Sequence, residues 1–208
     1  MHFFVGICVM LTLIKEYARI ITRVEIYLFR RNVMQDFYYK QNADNTFSVM
    51  GYHGDEAEVI VPGSYGGAPI TVINDRLFAG HREITSVHIP DSVTNMGSFV
   101  FRGCENLHSI VLPAGLTDLW GYTFSESAFE EIVLPDRLTN LPPFTFANCR
   151  NLKRVVCGSG MKKIYAYVFG GCDELREVVC GPDVEISPDA YKIKPPYSER
   201  QWGGFTGR

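Results

Sequence analysis

The chain has 208 residues, of which 46% are hydrophobic, and this content predicts one globular domain or one solenoid with extensions rather than a disordered chain. The formal net charge is −3 and no long run of one sign occurs, so we expect neither a nucleic-acid groove nor an acid-binding surface. The six cysteines include no CxxC pair and no Cys/His cluster at zinc spacing. We therefore expect no structural metal and no cofactor.

Residues 1–36 differ from the rest of the chain, because they carry no repeat and are basic before Asp36. Residues 3–14 form an apolar run that is too short for a transmembrane helix and close to the length of a signal-peptide core, but a cationic start and a convincing cleavage site are missing. Apolar residues then recur at helical spacing through about residues 12–32. Three interpretations stay open: a degraded signal, an amphipathic helix packed on the rest of the protein, or a membrane helix.

Residues 58–191 contain a repeat with a period of 22 or 23 residues. One aromatic position of the repeat is occupied by Phe78, Phe101, Phe124, Phe146 and Phe169, and Tyr191 continues it. Five residues before each of these stands an aliphatic residue, namely Ile73, Met96, Leu119, Leu141, Ile164 and Ile186. This double register predicts that equivalent side chains stack on one another.

Each repeat also contains one strand-like segment with alternating apolar residues. These segments are EVIVP (58–62), ITSVHIP (84–90), LHSIVLP (107–113), FEEIVLP (129–135), LKRVVCG (152–158) and LREVVCG (175–181). A unit of this length cannot bury its apolar side alone, so the copies must stack side by side. We expect a solenoid of six parallel strands in one sheet, one per repeat, with short irregular or helical-turn connections and the phenylalanines stacked inside.

The repeat resembles the BspA-type leucine-rich repeat family in segments such as IPDSVTNMGSFVFRGCENLHSIVLP (89–113). The resemblance covers roughly residues 37–191, and FYYKQNADNTFSVMGY (37–52) resembles the hairpin that often opens such arrays, so residues 37–57 are expected to form an N-terminal cap. One copy, SESAF (125–129), is a residue short and lacks the usual Gly-Cys, and the first copy has the longer loop GSYGGAP (63–69). Both departures fall in connections, so we expect the strands to remain intact.

The resemblance implies a role as an adhesin or host-interaction protein, displayed on the cell surface or secreted. Nothing in the sequence predicts an enzyme, because the five histidines belong to no catalytic motif and GSG at 158–160 lacks the spacing of a phosphate loop or nucleophile elbow. The partner is then a protein or another cell-surface macromolecule and not a nucleic acid, with membrane contact only through residues 1–36. The alternative is a structural spacer, or a repeat protein that self-assembles through its open ends.

Residues 192–208, KIKPPYSERQWGGFTGR, do not continue the repeat and are interpreted as a tail. The last coil of an array exposes an apolar end and an unpaired strand edge. Tyr197, Trp202 and Phe205 are candidates to cover the strand at 175–180. The alternative is an open terminal strand that pairs with another chain.

The cysteines and a second aromatic column are interpreted as core residues. Cys104, Cys149 and Cys172 share one repeat position, and Cys157 and Cys180 share another. Neighbouring strands lie about 4.8 Å apart, so disulfides joining 149 to 172 or 157 to 180 are within reach, but we favour reduced thiols because other copies place other residues there. Packing is also favoured over a ligand cage for the column Phe99, Tyr122, Phe144 and Tyr167.

In each predicted strand, the residue between two inward aliphatic residues points out of the sheet. This alternation predicts an outward stripe formed by His88, Val111, Val133, Val156 and Val179. The flanking column Ser86, Ser109, Glu131, Arg154 and Glu177 alternates in charge, which fits neutralisation between neighbouring strands. Apolar residues in register on a solvated face reflect either β-propensity alone or a binding role. The outward stripe, together with Glu131, Arg154 and Glu177, is the candidate partner-binding site.

Overall fold

The computed structural model describes residues 36–193, and within this range the backbone forms short β-strands and no helix. No helix in this part of the chain is therefore long and apolar enough to cross a membrane. The interpretations of residues 1–35 and of the tail residues Tyr197, Trp202 and Phe205 lie outside the described residues. The strands are β1 Asp36–Gln41, β2 Phe47–His53, β3 Glu58–Ile60, β4 Ser64–Tyr65, β5 Ala68–Ile73, β6 Ser86–His88, β7 Asn95–Met96, β8 Ser109–Val111, β9 Asp118–Leu119, β10 Glu131–Val133, β11 Asn140–Leu141, β12 Arg154–Val156, β13 Lys163–Ile164, β14 Glu177–Val179 and β15 Glu185–Ile186.

The N-terminal cap is a hairpin of β1 and β2, and β2 pairs in parallel with β5 of the array. Asn45 adopts a left-handed φ of 63° in the connecting turn, a conformation that Asn tolerates better than most residues. Phe37 and Tyr52 place their rings 6.4 and 5.2 Å from the ring of Phe78, the first phenylalanine of the array. The hairpin therefore covers the N-terminal end of the core.

The array is a β-solenoid of about six turns, as the repeat predicts. A three-residue strand stands in each predicted strand segment, and these strands are β3, β6, β8, β10, β12 and β14. The structure adds a second strand of two residues, β7, β9, β11, β13 and β15, which ends on the aliphatic position of the repeat. β5 precedes them in the same ladder, and β4 forms a small antiparallel hairpin with it inside the longer loop at 63–69.

The stacked phenylalanines form the core of the solenoid. All five are buried, and successive ring centroids lie 5.2, 5.7, 5.5 and 6.1 Å apart with nearly parallel planes. The aliphatic column is likewise buried from Ile73 to Ile164, whereas Ile186 in the last coil is partly exposed. Tyr191 ends the aromatic column 5.4 Å from Phe169 and is 53% exposed. The register derived from the sequence is therefore confirmed.

The expectation of one continuous six-stranded sheet is wrong. The three-residue strands form two separate ladders, β3-β6-β8 and β10-β12-β14, and the two-residue strands also divide between β9 and β11. Each strand is present, but the pairing stops between β8 and β10, next to the repeat copy that is one residue short. The shortened connection thus leaves the strands intact and breaks their pairing.

Two features of the sequence account for these divisions, the first for the one between β8 and β10 and the second for the one between β9 and β11. Ser109 stands eight positions after Phe101, whereas Glu131 stands only seven positions after Phe124. Ala128 N–H consequently donates to the carbonyl of Leu107 at 3.0 Å. At intact junctions, the first residue of the three-residue strand donates its N–H to a carbonyl of the preceding coil. Ser109 N–H, for example, donates to Thr85 O at 3.3 Å.

The second feature is Pro142, which follows β11. Its counterparts in the neighbouring coils are Trp120 and Tyr165, whose N–H groups donate to Met96 O at 3.1 Å and to Leu141 O at 3.0 Å. Proline has no N–H, so the corresponding hydrogen bond to Leu119 cannot form. The stack of phenylalanine rings and the backbone hydrogen bonds of the turns continue past the short copy. Phe101 N–H donates to Thr123 O at 2.8 Å, and Phe124 N–H donates to Thr145 O at 3.0 Å.

The cysteines of the first column are hydrogen-bond donors in the core. Sγ of Cys104, Cys149 and Cys172 lies 3.0 Å from the carbonyl oxygen of a phenylalanine in the preceding coil. Ser127 makes the equivalent bond to Phe101 O at 3.3 Å. All five cysteines of the described residues are free thiols, as expected. Cysteine and serine both supply a small donor at this position, which explains why serine replaces cysteine in one copy, whereas the first copy has His81 there.

We predict that Phe124→Ala lowers the free energy of unfolding by about 3–5 kcal/mol, because it removes a fully buried ring with neighbours on both faces. Denaturant unfolding of the full chain measures the loss. Trp120→Ala is the matched control, since this ring is 57% exposed, and should change stability by no more than about 0.5 kcal/mol. An unchanged midpoint for Phe124→Ala would contradict the stacked register.

We predict that Cys149→Ser keeps most of the stability of the unmodified protein, whereas Cys149→Ala costs about 1 kcal/mol more because the bond to Phe124 O is lost. Serine at this position copies the arrangement that Ser127 already makes in the preceding coil. Denaturant midpoints of the two variants measure the difference. Equal midpoints would show that the thiol acts only as an apolar filler.

We predict that the array loses stability in alkaline solution. Burial raises the pKa of the thiols of Cys104 and Cys172 to about 12 from an ordinary value of 9.0. The unfolded chain therefore releases these protons at lower pH than the folded chain, so stability is complete below about pH 9 and falls as the pH rises towards 12. Chemical unfolding between pH 8 and pH 11 measures the slope, and Cys104→Ser should reduce it. A slope that Cys104→Ser leaves unchanged would assign the effect to other groups.

Candidate functional site

The outward stripe lies on the solvent side of the three-residue strands, but its members differ in exposure. Val111 and Val133 are 68% and 61% exposed, whereas Val156 and Val179 are half-buried. His88 is exposed and pairs in register with Val111. The apolar surface is therefore concentrated at the two valines that flank the break in the ladder.

Ile60 is a member of this surface that the sequence analysis missed. It pairs in register with His88 and is 62% exposed. The same alternation in EVIVP (58–62) places Ile60 outward, between the buried Val59 and Val61. The signal was therefore present in the first copy of the repeat.

A cleft divides the outward stripe between β8 and β10. It has a volume of about 700 Å³. Its walls include the outward Val111 and Val133 and also the inward-pointing positions Ile110, Leu112, Ile132 and Leu134. Residues of both strand faces line it, so the cleft lies along the line where the pairing between β8 and β10 is missing. The sequence predicted a continuous stripe, and the structure replaces it with two segments separated by this cleft.

The charged column beside the stripe is neutralised from strand to strand. Arg154 pairs in register with Glu131 and Glu177, donating to their carboxylates at 2.8 and 2.7 Å. These hydrogen bonds, to Glu177 and then to Glu131, raise the pKa of the guanidinium above its ordinary range. Lys153 makes a similar bond of 2.9 Å to Glu130. Ion pairs between exposed side chains contribute little to stability.

The column Phe99, Tyr122, Phe144 and Tyr167 packs between coils, as expected. Successive rings stack at 4.7, 4.5 and 5.2 Å, and the guanidinium of Arg76 lies 5.3 Å from the centre of the Phe99 ring. Each ring face inside the column is covered by the next ring, so no face is free between neighbouring rings to stack against a ligand. These four residues adopt φ between 59° and 66°, a left-handed conformation that is costly for residues other than glycine.

The shortened connection also leaves a polar depression of about 530 Å³, on the side of the solenoid formed by the connections. Glu126, Asn148 and Arg150 are among the residues that line it. Across residues 36–193 there is no group of three or more His, Cys, Asp and Glu side chains placed to hold a metal ion.

The candidate site thus combines two exposed valines, a cleft between them and a row of paired charges. The sequence predicted the outward direction of Val111 and Val133 and the pairing of Glu131, Arg154 and Glu177. It did not predict the cleft. One signal for the cleft was visible, the missing residue at 125–129, but only the pairing of neighbouring strands reveals its effect.

Comparison with known proteins finds a matching family model and several solved structures of similar fold. Residues 71–194 match the family model described as the BspA type leucine-rich repeat region, in six copies. No protein with a curated description matches the chain. A leucine-rich repeat protein of T. pallidum is 24% identical with a TM-score of 0.60, and the match covers 72% of this chain and 82% of that one.

Two further solved structures resemble the array. A leucine-rich repeat protein from Bacteroides ovatus is 22% identical with a TM-score of 0.57, covering 76% of this chain and 50% of that one. One from Eubacterium ventriosum is 18% identical with a TM-score of 0.55, covering 74% and 42%. The chain therefore spans half or less of these two proteins, and identities this low establish the fold alone. Because the family match extends over more than half of the chain and coincides with the stacked coils, this protein belongs to the BspA-type leucine-rich repeat family.

Proposed function

We propose that the chain is a non-catalytic protein-binding module, displayed on a cell surface or secreted, and that its partner docks on the strand face around the outward stripe. The observation that carries this proposal is the pair of exposed valines, Val111 and Val133, on either side of the cleft. Apolar surface that stays exposed in register, surrounded by polar groups, is typical of an interaction site.

The charges around the valines favour binding on this face. Arg154 already holds both Glu131 and Glu177, so a partner that covers this row meets paired charges with a net charge of about −1. The exposed apolar centre and the charged surroundings have the arrangement of a protein interface, in which an apolar core is enclosed by a polar rim.

Self-association through the C-terminal end of the array is a second candidate, favoured by one observation. In the last described coil, Tyr191 and Ile193 are 53% and 71% exposed, in contrast to the N-terminal end, where Phe37 and Tyr52 cover Phe78. An exposed apolar end beside β14, which is the last three-residue strand of the described residues, is suited to pairing with a second copy. Light scattering over a concentration series tests this candidate, since end-to-end association increases the mass with concentration.

We predict that Val133→Lys abolishes capture of a macromolecular partner while the fold is preserved, because the side chain is 61% exposed and the lysine places a charge at the centre of the apolar surface. Binding of the full chain is measured by surface plasmon resonance against a panel of purified extracellular-matrix and cell-surface proteins. Val156→Glu introduces the opposite charge on the same stripe and should also weaken capture.

Asn140→Lys is the matched control, since it adds the same charge at an exposed position of the two-residue strands. It should leave both binding and stability unchanged. If Val133→Lys and Val156→Glu are folded and bind as well as the unmodified protein, this face is not the binding site and the proposal fails.

A further inference from the structure

We infer that the cleft between β8 and β10 receives an extended segment of the partner polypeptide, which enters the sheet as an added parallel strand. The inference rests on the proposed function, because it specifies the form of the partner that the same face takes. It is carried by three features of the cleft: the direction of the backbone groups along its walls, the alternation of its apolar lining and the placement of one cation.

Backbone groups of both walls point into the cleft. In a parallel ladder, alternate residues direct their N–H and C=O groups to the preceding and to the following strand. Leu134 N–H, for example, donates to Val156 O of the following coil at 2.8 Å. By the same register, Ile110 directs its backbone groups towards β10, and Val133 directs its own towards β8. Since β8 and β10 are not paired, these groups face the cleft.

An extended backbone complements such walls better than any other ligand. Each wall presents donors and acceptors at the spacing of a β-strand, and an inserted strand offers the same groups on both of its edges. Recognition by strand addition draws its affinity from these main-chain hydrogen bonds and its specificity from pockets for alternate side chains. The cleft differs from an ordinary sheet edge because it provides two such rows.

The side chains that line the cleft alternate in the manner that an inserted strand requires. Ile110 and Leu112 are half-buried, whereas their counterparts Ile132 and Leu134 are 3% and 2% exposed. One set of side chains of the inserted strand would reach the half-buried Ile110 and Leu112, and the other would lie outside, between Val111 and Val133. The segment should therefore be apolar at consecutive positions on both faces.

A single cation marks one end of the cleft. Glu131 is held by Arg154 at 2.8 Å, and Asp136 accepts bonds of 2.7 and 3.0 Å from the N–H and hydroxyl of Ser159. Arg137 also lines the cleft and is exposed, and it forms no ion pair with any residue in the range 36–193. It follows the carboxyl end of β10, so a strand inserted in parallel would bring its own carboxyl end to this guanidinium. The segment should carry an acidic residue there.

The probe for this inference is a fluorescein-labelled synthetic peptide, Lys-Lys-Thr-Val-Ile-Val-Leu-Asp-amide, titrated with the full chain and followed by fluorescence anisotropy. We expect saturable binding. Replacing the central isoleucine of the peptide by proline removes an N–H and should abolish binding. Arg137→Glu should weaken binding about tenfold, and a peptide with lysine in place of the aspartate should restore binding to Arg137→Glu.

Amide hydrogen exchange of the unmodified chain provides a second readout. The amides of Ile110 and Val133 should exchange faster than those of Val155 and Val156, which lie in the paired ladder, and they should become protected when the peptide binds. Protection confined to other strands would overturn the inference. The same holds if the proline peptide binds as well as the parent peptide.

Val178→Pro separates the cleft from the open edge of the array, because it removes a backbone donor that, by the register of the ladder, points outward from the terminal strand β14. Unchanged binding to this variant supports the cleft, and lost binding assigns the peptide to the terminal edge and overturns the inference. If the peptide fails to bind while Val133→Lys still abolishes capture of a matrix protein, strand insertion is wrong and the proposed function stands. If Val133→Lys has no effect on capture, the proposed function fails on its own evidence.

Discussion

The stacking of one phenylalanine ring per coil is the interaction on which the solenoid depends. Each coil supplies one buried ring at this position of the repeat, and both of its faces are covered only when the neighbouring coils present their own rings at the same position. The period of 22 or 23 residues keeps that position constant. The two ends of the column therefore need different partners: Phe37 and Tyr52 cover the first ring, and Tyr191 covers the last one while remaining half exposed.

The connections are organised around the same column. The second aromatic column holds residues such as Tyr122 in a left-handed conformation, and its stacking offsets part of the backbone cost. Cys104 and its equivalents donate to phenylalanine carbonyls of the preceding coil, which ties the connection to the core. Since these contacts and the ring stack continue past the short copy, the coils stay joined on that side although the strands separate on the other.

The sequence predicted those features that depend on large side chains in a fixed register. The burial of Phe124 and Leu141, the strand segments and the outward direction of Val133 all follow from periodicity. The two-residue strands were missed because one apolar residue, such as Met96, is too little for a strand pattern. The break was missed because the effect of a lost residue depends on geometry. Phe124 is fixed by its ring, so the shorter path from it to Glu131 changes the position of β10, and Pro142 removes the bond that would have held β11.

A regular array offers little to a partner along its strand face, because each coil satisfies the backbone of the next. The copy at 125–129 departs from this regularity, and its coil leaves backbone groups and the side chains of Ile110 and Leu112 available to solvent. In the free protein, water can form hydrogen bonds with these backbone groups. The break therefore lowers stability mainly because it exposes apolar side chains to water. A polypeptide strand would recover both terms at once. In the proposed strand insertion, the irregularity that breaks the strand pairing is therefore also the place where the partner binds.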